Sequence, residues 1–184
     1  MNISGNGNPS PTIRECAKAI EAQMLIYATP RGGLVKILEN EAHLWQEIVN
    51  PSPINETPRI FIICSGEVAR GEYDGQNRTN LERVERKWQV IVGRGHGFKT
   101  LTAENVGQPG TPGYYESFDD TIETVRDGIR ILSNVTVDPI VNYKGWRPLA
   151  NIGPSPAANV FLDFRVVEFT TAADIPSVAS MTPA

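Results

Sequence analysis

The sequence predicts an α+β domain: a mostly antiparallel β-sheet packed against two or three helices, with long Gly/Pro-rich loops. Two segments, 13–27 and 118–132, place apolar residues at three- and four-residue steps, the period of a helix with one buried face. Three others, 59–65, 83–93 and 160–171, are continuously apolar or alternate with period two, as strands do. The order of these patterns places the helices on one face of a single sheet. At 184 residues, 40% hydrophobic and 21% charged, the chain is one ordinary globular domain. Residues 1–11 are expected to form a flexible arm, 12–171 the domain, and 172–184 a flexible tail.

The first helix opens at Thr12, whose hydroxyl can cap a free N–H while Glu15 completes a capping box. Ile13, Cys16, Ala17, Ile20, Met24 and Tyr27 form its apolar stripe, and Thr29-Pro30-Arg31-Gly32-Gly33 ends it. Residues 34–38 suit a short strand and 40–49 a helix carrying Leu44, Trp45, Ile48 and Val49; a single helix over 34–49 is the alternative. Asn50-Pro51-Ser52-Pro53 breaks the chain in either case. Residues 59–65 are an isoleucine-rich run fit for a central strand, and 66–80 read as an extended hairpin connection.

Over 83–93, Val84, Arg86, Trp88, Val90 and Val92 share one face, with Glu85, Lys87, Gln89 and Ile91 on the other. Residues 93–115 hold two glycine- and proline-dense pieces, and a loop of that length in a compact domain is usually functional or disordered. Ser117 caps the next helix, with Asp119 and Asp120 in its first turn. Ile122, Val125, Ile129 and Leu132 continue the stripe begun by Phe118. Residues 140–149 are a strand interrupted by Gly145 and Pro148, and 151–158 a linker. The closing strand, 160–171, divides Val160, Leu162, Phe164 and Val166 from Phe161, Asp163, Arg165, Val167 and Phe169.

The net charge of −4 does not favour a dedicated nucleic-acid binder. Arg70, Arg78, Arg83, Arg86, Lys87, Arg94 and Lys99 interleave with Glu67, Glu72, Asp74, Glu82 and Glu85, which reads as a solvated strand face with mixed ion pairs. The two cysteines, Cys16 and Cys64, fall in segments that read as buried, so no disulfide framework and a reducing compartment are expected. Neither a basic region nor an apolar stretch marks residues 1–11 as a signal or transit peptide, and no apolar run is long enough for a membrane helix.

No catalytic, metal or cofactor motif emerges. His43 and His96 lack metal-ligand spacing, and Gly93-Arg94-Gly95-His96-Gly97-Phe98 fails as a dinucleotide fingerprint at its third glycine. Phosphate-loop and nucleophile-elbow patterns are missing too. Trp45, Trp88 and Trp146 read as core or subunit contacts.

Four segments taken together resemble the tail terminator and neck (head–tail joining) proteins of tailed bacteriophages. They are the proline-led strand Pro58-Arg59-Ile60-Phe61-Ile62-Ile63-Cys64-Ser65-Gly66, the aromatic strand Trp88-Gln89-Val90-Ile91-Val92-Gly93, the helix over 118–132 and the closing strand over 160–171. The similarity is one of pattern over residues 13–171 and has no diagnostic motif. It implies a non-enzymatic virion protein, made in the host cytoplasm, that needs no cofactor. Such a protein forms a homo-oligomeric, commonly hexameric ring that caps the tail tube and joins it to the head-completion or connector protein. Genomic DNA passes through the lumen without specific binding, and no membrane is involved. An acidic subunit suits such a conduit, which should not grip phosphate.

The interface candidates in the connecting segments are Arg70, Arg78, Arg94, His96, Phe98, Tyr114 and Tyr115, since arginine and aromatics dominate interface energetics. Three alternatives stand beside this reading: another phage neck or tail-completion protein, a small enzyme built around the 93–115 loop, and a monomeric host-side adaptor or binding module.

Overall fold

The computed structural model describes residues 12–49, 58–70, 81–96, 106–109, 111, 116–132, 140–148, 152–155 and 160–176. The elements run α1 (Ile13–Ala28), a 3-10 turn (Thr29–Arg31), β1 (Leu34–Leu38), α2 (Glu41–Val49), β2 (Arg59–Arg70) and β3 (Leu81–His96). Then come α3 (Phe118–Ile131), β4 (Ile140–Pro148), β5 (Ile152–Ser155) and β6 (Val160–Pro176). The strands form one sheet in the order β1-β2-β3-β6-β4, with β5 also paired to β6. Among the described residues only β1 and β2 run parallel; the other pairs are antiparallel, so the fold is α+β. Because β3 occupies one side of β6 from Phe161 to Pro176, β4 and β5 share its other side.

Local chemistry sets the helix ends. Thr12 and Glu15 form the reciprocal capping box: the Thr12 N–H donates to Glu15 Oε2 at 2.7 Å and the Glu15 N–H to Thr12 Oγ1 at 3.2 Å. These bonds, the one from the Thr12 backbone first, hold the Glu15 carboxyl below its ordinary range. At the other end Gly32 adopts φ 66, its N–H donates to the Thr29 carbonyl, and the Gly33 N–H reaches the Ala28 carbonyl. This is a Schellman closure, and it requires glycine at the left-handed position. Residues 34–49 divide into β1 and α2, not one helix, because β1 has β2 as a hydrogen-bonding partner and parallel neighbours need a crossover between them.

Two apolar clusters sandwich the sheet. On one face Cys16, Ile20, Met24 and Tyr27 of α1 and Ile122, Val125 and Ile129 of α3 pack on Ile60, Ile62, Trp88, Val90, Val92, Val167 and Phe169. On the other, Leu44 of α2 packs with Phe61, Ile63, Ile91, Phe164 and Val166, and Leu38 lies against them. The helices therefore cover both faces, which corrects the one-face expectation. Alternation along β2 dictates it: Ile60 and Ile62 point to one layer, Phe61 and Ile63 to the other. Trp88 also donates its indole N–H to Thr171 Oγ1 at 2.9 Å, so its one polar atom is satisfied in the core.

The strands outrun their sequence boundaries because each extension finds a partner for its backbone groups. β2 continues to Arg70 opposite Arg83, past a register shift between Cys64 and Gly66. β3 continues to His96 opposite Phe161. β6 reaches Pro176 opposite Leu81, beyond the boundary expected at 171. Residues 66–70 and 93–96 thus belong to strands and not to loops, and β5 lies within the segment read as a linker.

Candidate assembly surfaces

Three features stand out beyond the apolar layers. The first is a buried clamp on Glu116, the residue that follows Tyr114 and Tyr115. Its Oε2 accepts from Tyr27 Oη at 2.7 Å, Arg31 Nε at 2.9 Å and Thr121 Oγ1 at 3.2 Å. Its Oε1 accepts from Arg31 Nη2 at 3.0 Å. The guanidinium lies 3.8 Å over the Tyr27 ring and also donates to the Tyr27 carbonyl at 3.0 Å. Burial first, then the Glu116 charge, pushes the Tyr27 hydroxyl far above its ordinary range, so it stays a donor at neutral pH. Ser117 follows as N-cap, accepting from the Asp120 N–H at 3.1 Å. The clamp ties the end of α1 to the start of α3.

Part of that segment is visible as an exposed turn. Thr111 Oγ1 donates to the Gln108 carbonyl at 2.7 Å, its N–H to the same oxygen at 3.0 Å, and Gly107 takes φ 76. Val106 beside it is largely exposed.

The second feature is an arginine stack at the β4 margin. Arg165, on β6, is buried and its guanidinium sits 4.3 Å from the Trp146 ring and 5.1 Å from the Phe118 ring. Its Nη1 donates to Asp119 Oδ1 at 3.1 Å. Trp146 itself is 45% exposed, so this tryptophan, unlike Trp88, is a surface aromatic held on a charged base. On the opposite face, Glu168 Oε1 accepts from Arg147 Nη2 at 3.0 Å and Gln89 Nε2 at 3.3 Å.

The third is the far end of the β2-β3-β6 ladder. β3 and α1 each have 16 residues. An extended chain of that length spans about 53 Å and a helix about 24 Å, so α1 alone is shorter than the strand. Arg86 marks the transition. It is buried, its Nε donates to Glu67 Oε2 at 3.0 Å, and its Nη1 lies 3.8 Å from Cys16 Sγ. Among the described residues beyond Glu67, Arg86 and Thr171, Val84, Ala172 and Ala173 are buried without joining either apolar cluster, and Val68 is exposed.

The interface candidates are distributed unevenly over this frame. Arg70 ends β2 in register with Arg83, which faces Asp174 on its other side. Arg94 and His96 lie at the opposite end of β3, in register with Asp163 and Phe161. The structure therefore does not bring Arg70 together with Arg94 and His96. Arg78, Phe98, Tyr114 and Tyr115 lie outside the described residues. Sequence reasoning assigned no role to Arg31, Glu116 or Arg165, since no local period links partners 85 or 46 residues apart.

Cys16 is buried and Cys64 half-buried, both as free thiols. Burial pushes the Cys64 thiol up. Among the described residues no helix is long and apolar enough to cross a membrane, and no group of three or more His, Cys, Asp or Glu could hold a metal ion. Compared with protein-family models and with curated proteins, the chain matches none.

Proposed function

We propose that this chain is a structural virion protein of the tail-terminator or neck type. It forms a closed homo-oligomer, a hexameric ring, that caps the tail tube and joins it to the head-completion or connector protein while DNA passes through the lumen. The observation that carries this reading is the three-stranded ladder of β2, β3 and β6, which continues beyond the residues of the two apolar clusters as an extended blade that a ring subunit can set against its neighbours. The Glu116 clamp supports it from the other end. It fixes Glu116, the residue next in sequence to Tyr114 and Tyr115, at a rigid point of the domain.

The test is phage complementation with two variants, a deletion of residues 107–113 and a double change of Tyr114 and Tyr115 to Ser. Both chains should fold, with unaltered circular dichroism, yet leave unjoined heads and tails or tails of uncontrolled length. Normal infectious yield from both would overturn the proposal.

A further inference from the structure

Among the described residues β1 is one margin of the sheet and pairs with β2 alone. The Leu34 N–H donates to the Pro58 carbonyl at 3.1 Å. In a parallel ladder this turns the backbone groups of Leu34, Lys36 and Leu38 toward β2 and those of Val35 and Ile37 outward. The opposite margin is blunted: β4 has register shifts at Ile140/Asn142 and Tyr143/Gly145, and Gly145 takes φ 85. β1 has no such irregularity over its five residues. The usual guard of an open edge is an unpaired lysine, but Lys36 Nζ lies 2.7 Å from Glu47 Oε2 of α2. Ile37, on the α1 face, is left 37% exposed.

We propose that β1 is a self-pairing edge, through which two copies of this chain join their sheets antiparallel about a two-fold axis at Lys36. The edge is complementary to itself. Centred on Lys36, the outward residues become hydrogen-bonded pairs, Val35 with Ile37 of the second copy and Ile37 with its Val35. On the α1 face those pairs are apolar and cover the exposed Ile37. On the α2 face the two Lys36 side chains meet with their Glu47 partners already in place, so two neutral ion pairs come together and not two bare cations. A shift by one residue would set apolar side chains of one copy against the charged face of the other. This contact is isologous and closes at two copies, whereas a ring contact is heterologous, so it stands apart from the ring reading.

The experiment is oxidative cross-linking of the full chain carrying Lys36→Cys, with Glu39→Cys and the unsubstituted chain as controls. Residues facing each other across the axis have Cα atoms about 4.5 Å apart, within the roughly 4.4–6.8 Å that a disulfide spans. Lys36→Cys should therefore give a covalent dimer whose link joins the two introduced thiols, while both controls stay unlinked. In sedimentation equilibrium, Ile37→Pro should weaken dimerisation about tenfold or more with an unchanged fold, because it removes two outward hydrogen bonds per dimer and none to β2. If Ile37→Pro does not fold, the cross-linking result decides alone. An unsubstituted chain that stays monomeric, or Glu39→Cys linking as readily as Lys36→Cys, would overturn the proposal. Rings that form without the Lys36→Cys link would overturn it and leave the ring reading intact.

Discussion

Arg31 and Glu116, 85 residues apart in sequence, meet as a fork: Nε and Nη2 of the guanidinium reach the two carboxylate oxygens at 2.9 and 3.0 Å. Both side chains are nearly buried, at 14% and 10% exposure. Removing one partner strands the other charge away from water, so Glu116→Ala should lower stability by about 3–5 kcal/mol. Glu116→Gln, which keeps an acceptor for Tyr27 and Thr121, should cost less. Urea denaturation of the two variants checks both magnitude and order.

Tyr27 gives the clamp a signature at alkaline pH. Its folded pKa is raised, first by burial and then by the Glu116 charge. The stability this group contributes is complete below the ordinary tyrosine value of about 10 and is lost as pH rises above it, because only the unfolded chain releases the proton readily. An ultraviolet titration of the folded protein should show a tyrosine that ionises above the usual range, and Tyr27→Phe should remove it.

Gly93 and Phe164 face each other across the β3-β6 ladder, and the Phe164 ring occupies the space that a side chain at 93 would need. Gly93→Ala must therefore displace a fully buried ring, with an expected cost of about 1–3 kcal/mol. A thermal melt of the variant measures it. An unchanged midpoint would mean that the ring moves aside freely.

That pair shows why part of the fold was hidden in the sequence. Glycine at 93 reads as the opening of a loop until the aromatic residue that fills its place is known, and Phe164 lies 71 positions away. The local patterns were legible: the Thr12–Glu15 box, the stripes of α1 and α3, and the alternation around Trp88 all depend on near neighbours. The depth of each strand was not, because it depends on a partner elsewhere in the chain. Phe164 packs on the face opposite the Ile122–Ile129 stripe, with Leu44. Of the candidate site, the connecting segments were legible as unusual, whereas the clamp that anchors one of them depends on a contact no periodicity encodes.

Ile129 lies fully buried in the layer between α3 and the sheet, with Trp88 and Ile62 in the same cluster. Ile129→Ala should cost about 2–5 kcal/mol, the range for deleting a buried aliphatic side chain. Chemical denaturation with an unchanged m-value would assign the loss to the native core.

The central claim is that the chain works as a ring at the junction of tail and head. Cryo-electron microscopy of assembled particles that contain this protein tests it most directly. The expected map holds a closed ring of copies between tail tube and connector, with the β2-β3-β6 blade of each subunit against its neighbour or the lumen. A particle in which the chain is present as a single unassociated copy would rule the ring out.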